Sequence, residues 1–271
     1  MNQAEWAKVS TITEGKDYVP HAQAFGLVTA FDIINYACPI IGFHGVKTKT
    51  YGLAHEMPTN HWSRCIEYPW ALVKAELTHD ASVIDVGGGN NPFQFALAFL
   101  CGKVMNVDTD MEKLTLADRL AVRHLFPNLT LLHQDVLTLP AYGDGIDPPG
   151  EAEPTNYQTF AGFDRVFCLS VFEHMPDPVR AVKHLYNMVK PGGKLIVSFD
   201  VSDSPCKDFP ITFIGAQRIL AEFGLEMPSM EGALSQAFRI DDKLVHLWVM
   251  MMAIDKPIEP VVHEHELGGE G

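Results

Sequence analysis

An α/β fold built on a doubly wound, mostly parallel sheet is what this sequence of 271 residues predicts. Three observations predict it. Between about residues 80 and 200, short β-branched runs alternate with longer segments of helical period, an order that calls for parallel strands joined by crossover helices. A glycine-rich stretch, VIDVGGGNNP, separates the first such strand from the first such helix. Acidic residues stand at or just beyond the ends of the first three strands, as Asp85, Asp108 and Asp135.

The elements follow in order. Residues 82–86 form a short buried strand. Asn90 or Asn91 caps a helix whose first position is Pro92, where a missing N–H costs nothing, and FQFALAFL continues that helix. KVMNVD (103–108) is a second strand, 110–126 an amphipathic helix stopped by Pro127, and 129–134 a third strand. FDRVFCLS (163–170) is a fourth strand and 178–189 a helix. Pro191, Gly192 and Gly193 then turn the chain into a fifth strand, KLIVSFD. Residues 212–223 read as helix, and 243–255 (KLVHLWVMMMAID) as a long strand whose methionines belong to the sheet core.

Segments outside this alternation set the domain plan. Residues 1–79, rich in aromatics and histidines, are expected to be a mainly helical lid that contributes to a substrate site. Residues 80–256 carry the α/β domain, with a Pro/Gly-rich loop insertion at 140–162, and 257–271 form a flexible tail.

Composition narrows the function. The formal net charge is −14, which repels phosphate backbones, and no Lys/Arg cluster offsets it, so nucleic acid is disfavoured as a partner class. Five scattered cysteines make no CxxC pair, as expected of reduced thiols in a cytoplasmic protein, and Cys101 and Cys168 lie in apolar runs. No apolar run reaches membrane-spanning length, and the N-terminus lacks the order of a signal peptide.

In an open parallel sheet, ligands bind beyond the carboxyl ends of the strands, where the winding reverses. The bare bend at Gly87, Gly88 and Gly89 lets a ligand's polar end approach the main chain there. Asp108, about twenty residues on, is placed to accept both hydroxyls of a ribose. Asp135 can receive the exocyclic amine of an adenine, with Val136 or Leu137 against its face. The glycine bend and ribose acid alone leave two other classes open: a nicotinamide-dependent oxidoreductase and a non-catalytic cofactor-binding module.

Over residues 80–200 the chain resembles the class I S-adenosylmethionine-dependent methyltransferases, particularly the small-molecule branch similar to quinone-biosynthesis C-methyltransferases. The motifs are VIDVGGGNN, NVDTD, HQDVL, FDRVFCLSVFEHM and LYNMVKPGGKLIVSF. The resemblance implies a Rossmann-like sheet of the seven-stranded methyltransferase type. It also implies methyl transfer from S-adenosylmethionine to a small-molecule acceptor, with release of S-adenosylhomocysteine. Asp85 and the backbone of Gly87, Gly88 and Gly89 would hold the methionine part of the cofactor. Asn91 stands where the family has a third glycine, and asparagine tolerates left-handed backbone angles. Asp108, with Thr109 beside it, would hold the ribose, Asp135 with Val136 the adenine, and Ser170 would lie near the sulfonium.

The donor is already activated, so alignment and exclusion of water do most of the work, and a base is needed only where the acceptor loses a proton. Ser170 and His174 are the catalytic candidates, with His21, His44, His55 and His61 as further bases; Glu173 and His174 could equally orient the loop. Arg64 is placed to pair with the cofactor's carboxylate or with Glu67. Tyr18, Tyr51, Trp62 and Trp70 are candidates to line an acceptor pocket. NNPF and DPPG do not stand where amino-methylating DNA enzymes carry their Pro-aromatic motif, and His55, Glu56 and His61 lack zinc-helix spacing, so no metal is expected.

Overall fold

The computed structural model describes residues 2–6, 64–89, 91, 93–112, 114, 126–142, 162–206, 210–231, 233, 235–240 and 243–258. Eight strands form one sheet: β1 (Gln3–Trp6), β2 (Ser82–Val86), β3 (Lys103–Asp108), β4 (Leu129–His133), β5 (Phe163–Leu169), β6 (Val189–Ser202), β7 (Ser235–Ile240) and β8 (Lys243–Asp255). Among the described residues four α-helices accompany them: α1 (Arg64–Ala75), α2 (Phe93–Leu100), α3 (Pro178–Asn187) and α4 (Phe213–Ala221).

The strand order is β1-β8-β6-β5-β2-β3-β4, with β7 also on β8. The pairs β2–β3, β3–β4, β2–β5 and β5–β6 are parallel, whereas β8 runs antiparallel to all its partners. From β2 the chain winds outward through β3 and β4, then returns to β5 on the other side of β2. The winding therefore reverses between β2 and β5, and the crevice of such a sheet opens there.

Strand period sorts the apolar residues between two layers. Ile84, Val86, Val107, Val166 and Val197 face one way, into a cluster with α3 and α4 through Val182, Leu185, Ile219 and Leu220. Val83, Val104, Phe167, Leu169 and Ile196 face the other, against Tyr68, Ala71 and Leu72 of α1 and Phe93 and Leu97 of α2. Both faces are covered, as a parallel sheet requires.

α1 runs antiparallel to the strands it covers. Arg165 of β5 donates from Nε to the Ala75 carbonyl and from a terminal nitrogen to that of Glu76, 3.2 Å away, while Lys194 reaches the Lys74 carbonyl at 2.9 Å. These cations satisfy the helix's last carbonyls and complement its dipole. The first turn of α1 is thereby held at the carboxyl edge of the sheet.

Several expectations are corrected. The N-terminal segment is not purely helical: Gln3–Trp6 is a strand on the sheet, and Trp70 anchors it by donating to Glu5 at 2.5 Å. Pro191, Gly192 and Gly193 do not precede the fifth strand but lie within β6, in a register shift against β5. β7 is a strand beyond those expected; in SQAFRI only Phe238 and Ile240 alternate as an apolar pair, too short a pattern to mark a strand. The predicted 110–126 helix is helical at Met111, Glu112 and Leu114, and its residues 115–125 lie outside the described residues, as do the bulk of the 140–162 insertion and residues 259–271 of the 257–271 tail.

Candidate functional site

On the layer facing α1 and α2, three strands (β2, β3 and β6) become polar one step after their last core residue. Asp85 follows Val83, Asn106 follows Val104 and Ser198 follows Ile196, and all are buried. This polar row lies along the carboxyl edge, beneath the glycine bend, and the helices supply two further buried polar side chains to it: Glu67 and Gln94.

Asn106 and Gln94 build the floor of the bend. Asn106 Nδ2 donates to Gln94 Oε1 at 2.7 Å and to the Gly89 carbonyl at 2.8 Å; Gln94 Nε2 donates to the same carbonyl and to that of Asn91, both at 3.0 Å. Neither residue was singled out from sequence. The available signal was an amide inside each of two otherwise apolar runs, FQFALAFL and KVMNVD.

The bend is fixed at both ends. Gly87 N donates to the Val107 carbonyl at 2.7 Å, and Asn91 Oδ1 accepts from Phe93 N at 2.8 Å, capping α2 as expected of an asparagine there. Gly87 and Gly89 take left-handed angles, φ +70° and +49°. A Cβ on Gly87 would sit 2.4 Å from Val171 Cγ1, and one on Gly88 would sit 2.4 Å from Asp85 Oδ2 and 2.7 Å from Asn106 Oδ1. Gly87 and Gly88 are thus required by the protein's own packing, in addition to whatever approaches from outside.

The two outer acids stand on the same edge. β3 and β4 pair in parallel with Asp108 opposite His133, so Asp135 lies just beyond the neighbouring strand end. Each spends one oxygen on its own turn: Asp108 Oδ1 accepts from Asp110 N at 2.7 Å, and Asp135 Oδ1 from Leu137 N at 2.9 Å. Asp108 is half-buried and Asp135 exposed, which leaves the second carboxylate oxygen of each for a ligand hydroxyl or amine. His133 Nε2 donates to the Thr109 carbonyl at 3.0 Å, tying the two strand ends together. Val136 is buried in the core and Leu137 half-buried, so Leu137 is the more accessible of the two to an aromatic face.

At the end of β5, Ser170 adopts φ +50°, unusual for a residue with a side chain. Its amide donates to the Ser198 carbonyl at 2.9 Å, and its hydroxyl donates to Glu67 Oε1 at 2.5 Å. Ser198 Oγ donates to the same Glu67 oxygen. Glu67 faces inward from the first turn of α1, fully buried. Val171 then closes on Gly87, and Glu173 is buried with Oε1 accepting from Asp200 N at 3.4 Å, while His174 is exposed. The backbone of Arg64 opens α1 beside Glu67; its side chain lies outside the described residues, as do His21, His44, His55, His61, Tyr18, Tyr51 and Trp62.

A left-handed glycine bend at the switch point, with acids on the next two strand ends, defines the nucleotide crevice of a Rossmann-like α/β protein. Residues 77–208 match the family model of a methyltransferase domain. Over that stretch the chain has the strand order and motifs of the class I methyltransferase fold. It is similar to the ubiquinone biosynthesis O-methyltransferase of Vibrio cholerae, 26% identical over 178 residues that make up 66% of this chain and 65% of that one. The enzyme of the same name from Albidiferax ferrireducens is 30% identical over 138 residues, 51% of this chain and 48% of that one. The chain thus spans between about half and two-thirds of the length of these relatives. Among solved structures, the YcgJ protein of Bacillus subtilis superposes with a TM-score of 0.50 at 11% identity, covering 70% of this chain and 98% of that one, a likeness of fold.

Proposed function

We propose that the protein transfers a methyl group from S-adenosylmethionine to a small-molecule acceptor and releases S-adenosylhomocysteine. The observation that carries this reading is the convergence of Asp108, Asp135 and the glycine bend on one edge of the sheet, inside a methyltransferase-type domain. The residues fit the cofactor: two carboxylates each keep an oxygen for it, and the buried polar row fixes the bend. When bound, S-adenosylmethionine supplies an electrophilic methyl on a sulfonium.

In this reading Asp108, beside Thr109, accepts the ribose hydroxyls, and Asp135 accepts the adenine amine with Val136 and Leu137 beneath. Asp85 and the main chain of Gly87, Gly88, Gly89 and Asn91 receive the methionine end, and Arg64 meets its carboxylate. Ser170 borders the reacting end, and His174, exposed next to it, takes a proton where the acceptor gives one up. Residues 1–79 and the 140–162 insertion contribute to the acceptor site. The O-methyltransferase relatives make a hydroxyl the first acceptor class to test. The free thiols of Cys101, Cys168 and Cys206 suit a cytoplasmic setting.

Calorimetric titration of the purified protein with S-adenosylmethionine and with NAD tests the cofactor. Binding of NAD alone overturns the proposal in favour of an oxidoreductase. S-adenosylhomocysteine release across a panel of phenols, catechols and carboxylic acids tests the transfer, and binding without turnover on any acceptor supports a cofactor-binding module instead.

A further inference from the structure

Glu67 is a buried carboxylate that the assignments above leave without a role. It sits in the first turn of α1 and accepts hydrogen bonds from the hydroxyls of Ser170 and Ser198, which lie 103 and 131 residues away in sequence. Burying a carboxylate is costly even when its hydrogen bonds are made, so a packing role alone would be served as well by an apolar side chain. The carboxylate is held at the carboxyl edge because Arg165 and Lys194 fix the far end of α1.

Strand order says what comes nearest to it. With the adenine at Asp135 beyond β4 and the ribose at Asp108 on β3, a nucleoside lies across the edge in the direction of β2. The group on its 5′ carbon then reaches the switch point, between Gly87 at the end of β2 and Ser170 at the end of β5. Ser170 is the residue through which Glu67 meets that crevice. For S-adenosylmethionine the 5′ group is a sulfonium, a cation with no N–H or O–H. It offers no N–H or O–H hydrogen bond, so its charge is recognised chiefly by the electrostatic field around it. The product carries a neutral thioether at the same place.

We infer that Glu67 is a positioning residue that selects the charged donor over the neutral product, its carboxylate acting across the Ser170 hydroxyl on the sulfonium. This rests on the cofactor reading above. The other buried carboxylates of the region, Asp85, Glu173 and Asp200, add to the negative field but lie on the sheet and its loop; Glu67 alone brings that charge from α1.

The test compares affinities of the full-length protein for S-adenosylmethionine and S-adenosylhomocysteine by calorimetry, in the wild type, Glu67→Gln and Glu67→Asp. Gln keeps the size and an acceptor oxygen but removes the charge. The expected result is a loss of about tenfold in affinity for the sulfonium donor, with the thioether product bound within about twofold of wild type, the order expected for one charge at several ångströms in a protein-like dielectric. Glu67→Asp is expected to restore most of the preference. Equal losses for both ligands, or no change in either, overturn the inference and leave Glu67 a structural residue. Should Glu67→Gln fail to fold, the double variant Glu67→Met with Ser198→Ala removes charge and donor together and is read by the same ratio. Wild-type protein that binds neither ligand overturns the cofactor reading itself, a result distinct from a preference that Glu67→Gln leaves unmoved.

Discussion

Asn106 of β3 and Gln94 of α2 share a 2.7 Å hydrogen bond in the fully buried space under the glycine bend, and both donate to the Gly89 carbonyl. A strand, a helix and the bend between their neighbours are thereby fastened at one point. The bend keeps its shape because its carbonyls face buried amides rather than each other.

Replacing Asn106 by Leu leaves Gln94 and the Gly89 carbonyl short of partners. The expected cost is about 1–3 kcal/mol of stability, the penalty for orphaned buried polar groups. Chemical denaturation measures it. The Gln94→Leu, Asn106→Leu double variant should cost less than the sum of the single ones, because it orphans neither side-chain amide; strict additivity would show that the two residues act independently.

Gly87→Ala meets two obstacles: a φ of +70° and Val171 Cγ1 at 2.4 Å from the new methyl. We expect a loss of at least about 2 kcal/mol, from left-handed strain and overpacking together. Val171→Ala should recover part of it by removing the colliding methyls. A thermal melt showing Gly87→Ala unchanged would mean that the bend relaxes freely.

Asp108→Ala is expected to weaken S-adenosylmethionine binding by at least about tenfold, as loss of hydrogen bonds to a charged acceptor implies. Asp108→Asn, which keeps one acceptor oxygen, should fall between. Asp135→Ala should have a smaller effect on binding, since that carboxylate is exposed and competes with water. Affinities from calorimetry decide the order, and an equal or larger effect at Asp135 would contradict it.

Burial lifts the Cys101 thiol to about 12 and pushes Cys168 well above the ordinary range, with the charges of Glu173 and Asp85 adding to the latter. Only the thiolate is nucleophilic, so at pH 8 both thiols stay protonated and inert. Iodoacetamide at pH 8 should modify half-buried Cys206 before either of them, and denaturant should expose all to labelling. Mass spectrometry of the tryptic peptides reads the result.

Local periodicity made much of this legible. β3 and β8 run over the spans their sequence patterns indicate, and β2 stops where its glycines begin. What local pattern could not carry is pairing at long range. β1 is a strand because β8 offers it an edge, not because QAEW has strand character. In the same way, Glu67 reads as one polar residue of an amphipathic helix until β5 and β6 bring Ser170 and Ser198 to it. The acids at successive strand ends were legible because each follows its own strand directly. Pro191 and the glycines after it misled because turn residues also serve as a bulge within an edge-to-edge pairing.

β8 offers one flank to β6 along 247–255, and its other flank is divided end to end between β7 at 243–248 and β1 at 250–253. The four residues of β1 therefore pair with Met250, Met251, Met252 and Ala253 on the flank that β6 does not occupy. Without β1, this stretch of β8 would present an unpaired apolar strand edge, a template onto which another strand can pair.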